Sequence, residues 1–238
     1  MEIPADRRDN ASERVNEILN LYKNKETQFL LETLLDQVGN FFSKCPVFYQ
    51  DPLPAIHSVK KRLKEPSHLV DKIERKRLEG TIVTPDNLFN TITDLAGVRV
   101  LHIYQNQFSL IHHQISQKIQ TDREWVLVEP PKAYTWDPES KEYFDRLGIK
   151  TELKDSRYTS VHYVIKLNNQ NPMCCEIQVR TLFEEIWGEI DHSINYPHRT
   201  NSIACVEQIR VLSKLVSTGT RLSDAIFKSY EDHLSRLK

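Results

Sequence analysis

The chain holds little of what marks several protein classes. Its 238 residues include four cysteines, six glycines and eleven prolines. Cys45, Cys174, Cys175 and Cys205 show no CxxC spacing. That argues against a zinc site and reads as buried thiols in a reducing compartment. So few glycines and prolines argue against a low-complexity or fibrous chain. No window approaches a membrane span, and the opening MEIPADRRDN lacks the apolar segment of a secretory signal. A cytoplasmic protein with no membrane partner is the expectation. Neither sign of charge dominates, with a formal net charge of −1. What is present, 39% hydrophobic and 27% charged residues, suffices for a sizeable core in one domain with helical extensions, or in two small domains.

Apolar periodicity predicts helix over residues 11 to 44, then a connector rich in proline at 45 to 54. A second helical pair is expected over 55 to 78, interrupted near Pro66. The pattern then turns to strand at GVRVLHIY (97 to 104), EWVLVE (124 to 129), SVHYVIKL (160 to 167) and CCEIQVRT (174 to 181). The last two read as hairpin partners. A helix is expected at 107 to 119, a long polar loop carrying Tyr134, Trp136 and Tyr143 at 130 to 148, and a helix at LFEEIWGEIDHSINY (182 to 196). Helix resumes from about 202, with a break near Gly219. Helices, then mixed strands and helices, then helices again indicate an α+β fold with a largely antiparallel or mixed sheet.

In CCEIQVRT side chains alternate faces, so Cys175, Ile177 and Val179 share an apolar face while Glu176, Gln178 and Arg180 share a polar one. An edge strand with one solvated face would read the same way. In the helix after it, Leu182, Ile186, Ile190 and Ile194 form an apolar stripe beside Trp187, with Glu185, Glu189, His192 and Tyr196 on a neighbouring polar face. In ITDLAGVRV, Asp94 stands at the mouth of a strand, Arg99 lies just inside it, and Gly97 allows close backbone approach. Magnesium takes a few carboxylates together with substrate phosphates. Asp94 and Glu176 form the obvious pair for it, although Asp94 alone also suits a turn cap.

Residues 60 to 77 carry Lys60, Lys61, Arg62, Lys64, Lys72, Arg75, Lys76 and Arg77 against Glu65, Asp71 and Glu74, a local excess of +5. A solvated helix has this composition, and so does a polyphosphate site built from Lys point charges and Arg forks. In KDSRYTSVH, Tyr158 stands before a strand among Lys154, Arg157, Ser160 and His162. It is placed either to stack on a base or to pack on its own loop.

Taken together and in this order, RLKEPSHLVDKIERK (62 to 76), TDLAGVRV (93 to 100), KDSRYTSVHY (154 to 163) and EIQVRTLFEEIWGEIDHSINY (176 to 196) resemble the synthetase domain of the RelA/SpoT-type alarmone synthetases. The resemblance covers about residues 50 to 200. It implies a nucleotidyltransferase-like core (51–200) with helical extensions at 1–50 and 201–238. It also implies transfer of the β,γ-pyrophosphate of ATP to the ribose 3′-hydroxyl of GDP or GTP, with Mg²⁺ as cofactor. On this resemblance Arg62, Lys64, Lys72 and Arg75 hold ATP phosphates and Arg99 stacks on adenine. Asp94 and Glu176 hold Mg²⁺, and Glu176 takes the 3′-hydroxyl proton. Tyr158 stacks on the acceptor guanine, Lys154 and His162 contact its phosphates, and Gln178 lines the acceptor side.

Three positions depart from the family pattern: Arg157 where Gly is common, His68 where many members have Ser, and Asp191 before His192 where Glu is usual. The long bifunctional members carry a hydrolase domain with a His-Asp motif. No His-Asp dipeptide occurs here, so a small synthetase-only member is expected. Rival readings are a toxin of the same fold that pyrophosphorylates the tRNA 3′ end, which a basic Arg157 would favour, or that acts on adenine nucleotides, and a non-catalytic nucleotide sensor. Ile203, Val206, Ile209, Leu212, Leu215, Leu222 and Ile226 suit either packing on the core or homo-oligomerisation through the terminal helices.

Overall fold

The computed structural model describes residues 5–51, 53–168, 171–195 and 199–237, with side chains from residue 12 onward. Helices α1 (Ala5–Lys23) and α2 (Lys25–Lys44) are separate because Asn24 turns the chain and caps α2, its side chain accepting the Glu26 amide at 2.9 Å. Strand β1 (Ser58–Leu63) and helix α3 (Pro66–Leu78) follow. Next come the short α4 (Leu88–Thr91), β2 (Ala96–His102) and α5 (Gln107–Gln120). Then come β3 (Trp125–Leu127), β4 (Lys132–Thr135), α6 (Pro138–Arg146) and β5 (Lys150–Leu153). The chain continues through β6 (Ser160–Leu167), β7 (Cys175–Thr181), α7 (Leu182–Asn195) and α8 (Ile203–Arg236).

The strands form one mixed seven-stranded sheet in the order β1-β2-β7-β6-β4-β5, with β3 also paired to β6. β2 and β7 run parallel, and β6 and β7 antiparallel as expected. This is an α+β fold with flanking helices. The register makes the two faces unlike. Ala96, Val98 and Val100 lie beside Cys175, Ile177 and Val179, which lie beside Ile165, Tyr163 and Val161. All are buried in the main core with residues of α2 and α5, such as Leu31, Val38, Ile111 and Ile115. On the opposite face a single rung carries Lys60, Arg99, Gln178, His162 and Lys132 across five strands.

Several expectations change. Residues 58–63 are a strand, not part of a helical pair. Pairing with β2 overrides their charged composition, and alternation puts Lys60 and Arg62 on one face and Val59 and Leu63 on the other. Lys61, on the apolar side, lays its stem against Gly39 of α2 and reaches Asp36 at 3.0 Å. Residues 130–148 are not a loop. Asp137 accepts from the Ser140 amide at 2.9 Å and Pro138 opens α6. Helix α8 runs unbroken through Gly219, where a Cβ would lie 2.9 Å from the Phe183 ring. That glycine serves close packing of α7 on α8, not a break. Cys174 and Cys175 are buried, but Cys45 and Cys205 are only half-buried. Tyr196 lies outside the described residues.

His102 ends β2 inside the core and donates from Nδ1 to the Tyr104 carbonyl at 2.9 Å. Burial lowers its pKa from 6.5 to about 4. The unfolded chain therefore takes up this proton at a higher pH than the folded one. The stabilisation is complete above pH 6.5 and is lost as pH falls through about 4. Urea titrations between those limits are expected to show stability falling with acid, with a shallower slope in His102→Gln. Equal slopes would contradict this assignment.

Candidate functional site

A cleft of about 850 Å³ opens on the polar face of the sheet. Its lining comes from β1 and the loop after it (Arg62, Lys64), α3 (His68, Lys72, Arg75), β2 (Arg99), the loop before β6 (Tyr158), β7 (Gln178, Arg180) and α7 (Trp187, Glu189, Asp191). The spacing explains the convergence. Residues 68, 72 and 75 share one side of α3, while Leu69 and Ile73 are buried beneath it. Of the eight cations in 60–77, five lie at or beside this face. Lys61, Lys76 and Arg77 instead pair with surface carboxylates, as a solvated segment would.

The two candidate metal carboxylates lie beneath this lining. Asp94, just before β2, receives Lys64 and Lys72, each at 2.8 Å. Burial raises its pKa, but the two ammonium groups prevail and hold it below the usual range. Burial conversely lowers that of Lys64. Glu176, on β7 beside Gly97 of β2, accepts from His162 Nδ1 at 3.1 Å and from Gln178 Nε2 at 2.7 Å. Burial opposes its ionisation, yet these partners keep its pKa low, against an opposing push from nearby Asp94. His162 therefore carries its proton on Nδ1, leaving Nε2 to accept the Tyr158 hydroxyl at 3.0 Å. Tyr158, His162, Glu176 and Gln178 form one continuous chain.

Both carboxylates are thus ionised and adjacent. Each Asp94 oxygen faces one ammonium, Oδ1 that of Lys72 and Oδ2 that of Lys64. Two ionised carboxylates, Asp94 and the neighbouring Glu176, are a donor set that fits a hard cation that also takes phosphate oxygens. Among the described residues no cluster of three or more His, Cys, Asp or Glu could hold a metal without such help. Gly97 is not forced by sterics, since a Cβ there would meet Arg62 at an ordinary 3.6 Å.

The expected residues are not all gathered at the cleft. Arg62, Lys64, Lys72, Arg75, Arg99, Tyr158 and Gln178 line it. Lys154 does not: its ammonium lies 4.6 Å from the Tyr134 ring, which meets His162 edge-on. Arg157 takes φ 62, a left-handed conformation natural to glycine, and stacks its guanidinium 4.6 Å from the Trp136 ring beside a separate small cavity. Helix α7 (Leu182–Asn195), whose apolar stripe suggests a support packed behind the sheet, lies instead on its polar face. Glu185 is buried against the polar face, whereas Ile186, Ile190 and Ile194 are exposed. The helix is a wall of the cleft, because burying the arginines of β2 and β7 requires its carboxylates more than the sheet requires its isoleucines. Sequence reasoning named Arg180, Glu185 and Glu189 without giving them a role. The alternation that points Glu176 and Gln178 at the cleft also points Arg180 there.

A strand-floored cleft with cations on one wall and an aromatic on the other suits a ligand that carries phosphates and a base. A family model for the region found in RelA / SpoT proteins matches residues 61–201, and the chain belongs to that family. It is 23% identical over 158 residues to GTP pyrophosphokinase YjbM of Bacillus subtilis (strain 168), a match covering 64% of this chain and 63% of that protein. The chain thus matches less than two thirds of that relative's length. Its fold is similar to the crystal structure of small alarmone synthetase 1 from Bacillus subtilis, with a TM-score of 0.67 at 18% identity, covering 87% of this chain and 98% of that one. It is also similar to the structure of that synthetase bound to its product pppGpp, with a TM-score of 0.64 at 18% identity and the same coverage.

Asp94 is the counter-ion of two ammonium groups whose side chains are only 12% and 17% exposed. Asp94→Asn leaves both uncompensated and is expected to cost about 3 kcal/mol in urea unfolding without nucleotide. A loss under about 0.5 kcal/mol, the range of ordinary surface changes, would show that the triad does not hold the site together.

Proposed function

We propose that the chain is a pyrophosphokinase that moves the β,γ-pyrophosphate of ATP to the ribose 3′-hydroxyl of GDP or GTP. The observation that carries this reading is ionised Glu176, hydrogen-bonded to the His162–Tyr158 pair and to Gln178 of a cleft whose cations are Arg62, Lys64, Lys72 and Arg75. Membership of the RelA/SpoT family supports it. In this reading the cations take ATP phosphates and Arg99 meets the adenine. Lys64 and Lys72 shift from Asp94 onto phosphate oxygens, which frees the carboxylate. Tyr158 faces the guanine, while His162, Gln178 and, one ring further out, Lys154 serve the acceptor side.

Glu176 accepts the 3′-hydroxyl proton as that oxygen bonds to the β-phosphorus. The bond from the β-phosphorus to the α,β-bridging oxygen breaks and AMP leaves. Asp94 and Glu176 would hold Mg²⁺, which when bound neutralises charge on the transferred phosphates. The reading places the reaction in the cytoplasm. Among the described residues no helix is long and apolar enough to cross a membrane. Exposed Ile190, Leu215, Leu222 and Ile226 on α7 and α8, with Ile209 buried, support self-association through these helices, which sedimentation of the purified chain tests. The tRNA alternative rests on Arg157, which lies on Trp136 and outside the cleft lining.

The test is transfer of label from γ-labelled ATP with Mg²⁺, offering GDP, GTP, ATP and deacylated tRNA in parallel. Label is expected on GDP or GTP, with Glu176→Gln slower by about 1,000-fold, the scale of a lost general base. Label on tRNA or ATP, or on no acceptor, would overturn the reading.

A further inference from the structure

Glu185 occupies a position that no step of the proposed reaction uses. It is buried, 4% exposed, on the inner side of α7. Its Oε1 receives Lys60 at 2.7 Å and Arg99 at 2.8 Å, and its Oε2 is in ionic contact with Arg180. The three cations come from β1, β2 and β7, so one carboxylate ties three adjacent strands to the helix that walls the cleft. Burial alone would favour its neutral form, yet the cations hold its pKa down at about 2.

The two arginines share this carboxylate but differ in their other neighbours. Arg99 is held a second time by Glu189, at 2.9 Å, on the next turn of α7. Arg180 is 5% exposed and confined on two sides. One side is the α7 backbone at Gly188, where a Cβ would lie 2.9 Å from Nη1. The other is the Tyr158 ring, whose centroid is 5.6 Å from the guanidinium carbon. Where Arg180 sits therefore limits where the Tyr158 ring can lie. A side chain at 188 would push the guanidinium toward that ring.

We infer that Glu185 is a positioning residue that sets the donor-side Arg99 and, through Arg180, the acceptor-side Tyr158 in one frame. The inference rests on the proposed assignment of ATP to the Arg99 side and a guanine nucleotide to the Tyr158 side. It goes beyond that assignment by making the two subsites depend on one carboxylate. Two structural consequences distinguish it from simple burial of a charge. Removing the charge loosens both subsites at once, because each arginine loses the same partner. Displacing Arg180 by a substitution at Gly188 loosens the acceptor subsite alone, because Arg99 keeps both Glu185 and Glu189.

The experiment is calorimetric binding of the ATP analogue AMPCPP and, separately, of GTP, with KM and kcat for each substrate, in the wild type, Glu185→Gln and Gly188→Ala. Loss of one charge-assisted contact corresponds to roughly tenfold in affinity. Glu185→Gln is expected to weaken AMPCPP and GTP by about that factor each, with the change falling in KM and little in kcat. Gly188→Ala is expected to weaken GTP and leave AMPCPP unchanged. Should Glu185→Gln fail to fold, the Gly188→Ala pattern still decides the Arg180 arm. Unchanged affinity for either nucleotide in folded Glu185→Gln, or unchanged GTP affinity in Gly188→Ala, would overturn the inference while leaving the reaction assignment intact. A wild type that binds neither nucleotide would overturn both.

Discussion

The parallel pairing of β2 with β7 is the constraint on which the rest of the site depends. Its register sets Gly97 beside Glu176 and Arg99 beside Gln178. Because side chains alternate, the same register sends Val98, Ile177 and their neighbours into the core. A slip of one residue would bury Glu176 and Arg99 and expose the apolar row. Hydrophobic burial thus fixes the placement of the polar face to within one residue, without any polar contact having to specify it. The antiparallel neighbour β6 then adds His162 to the same rung.

Charge balance explains the state of that face. Removing ions from water is costly unless each is paired or hydrogen-bonded, and the buried carboxylates here are. Asp94 holds Lys64 and Lys72, Glu176 accepts hydrogen bonds from His162 and Gln178, and Glu185 holds Arg180, Arg99 and Lys60. In the proposed function a polyphosphate would exchange these internal partners for its own oxygens. The cost of ordering lysines and arginines is then already met in the folded chain, and the cleft is organised before substrate arrives. The exposed isoleucines of α7 follow from the same balance, since its inner side is given to carboxylates and Trp187.

Much of this was legible in the sequence where one signal dominated. Alternation in residues 160–167 and 174–181 identifies two strands and their faces, and the helical period identifies α2 and α5. Reading failed where two signals competed. Lys60, Lys61 and Arg62 look like a helix surface, and only the β2 edge makes them a strand. The cap Asp137-Pro138 is present in the sequence, but the polar composition around it suggests a loop. The isoleucine stripe of α7 is its stronger local pattern, yet those isoleucines are exposed and Glu185 is buried. The pull of Arg99 and Arg180 on Glu185 is a long-range effect that local periodicity does not contain. The conformation of Arg157 is likewise invisible until the backbone places it at φ 62.

The central claim is that Asp94 and Glu176 act as one site, opened when nucleotide phosphates draw Lys64 and Lys72 away. Electron paramagnetic resonance of added Mn²⁺, with and without AMPCPP, tests it most directly. The account predicts weak Mn²⁺ binding by the free protein, strong binding with AMPCPP present, and loss of the strong binding in both Asp94→Asn and Glu176→Gln. Strong binding that survives either substitution would contradict it.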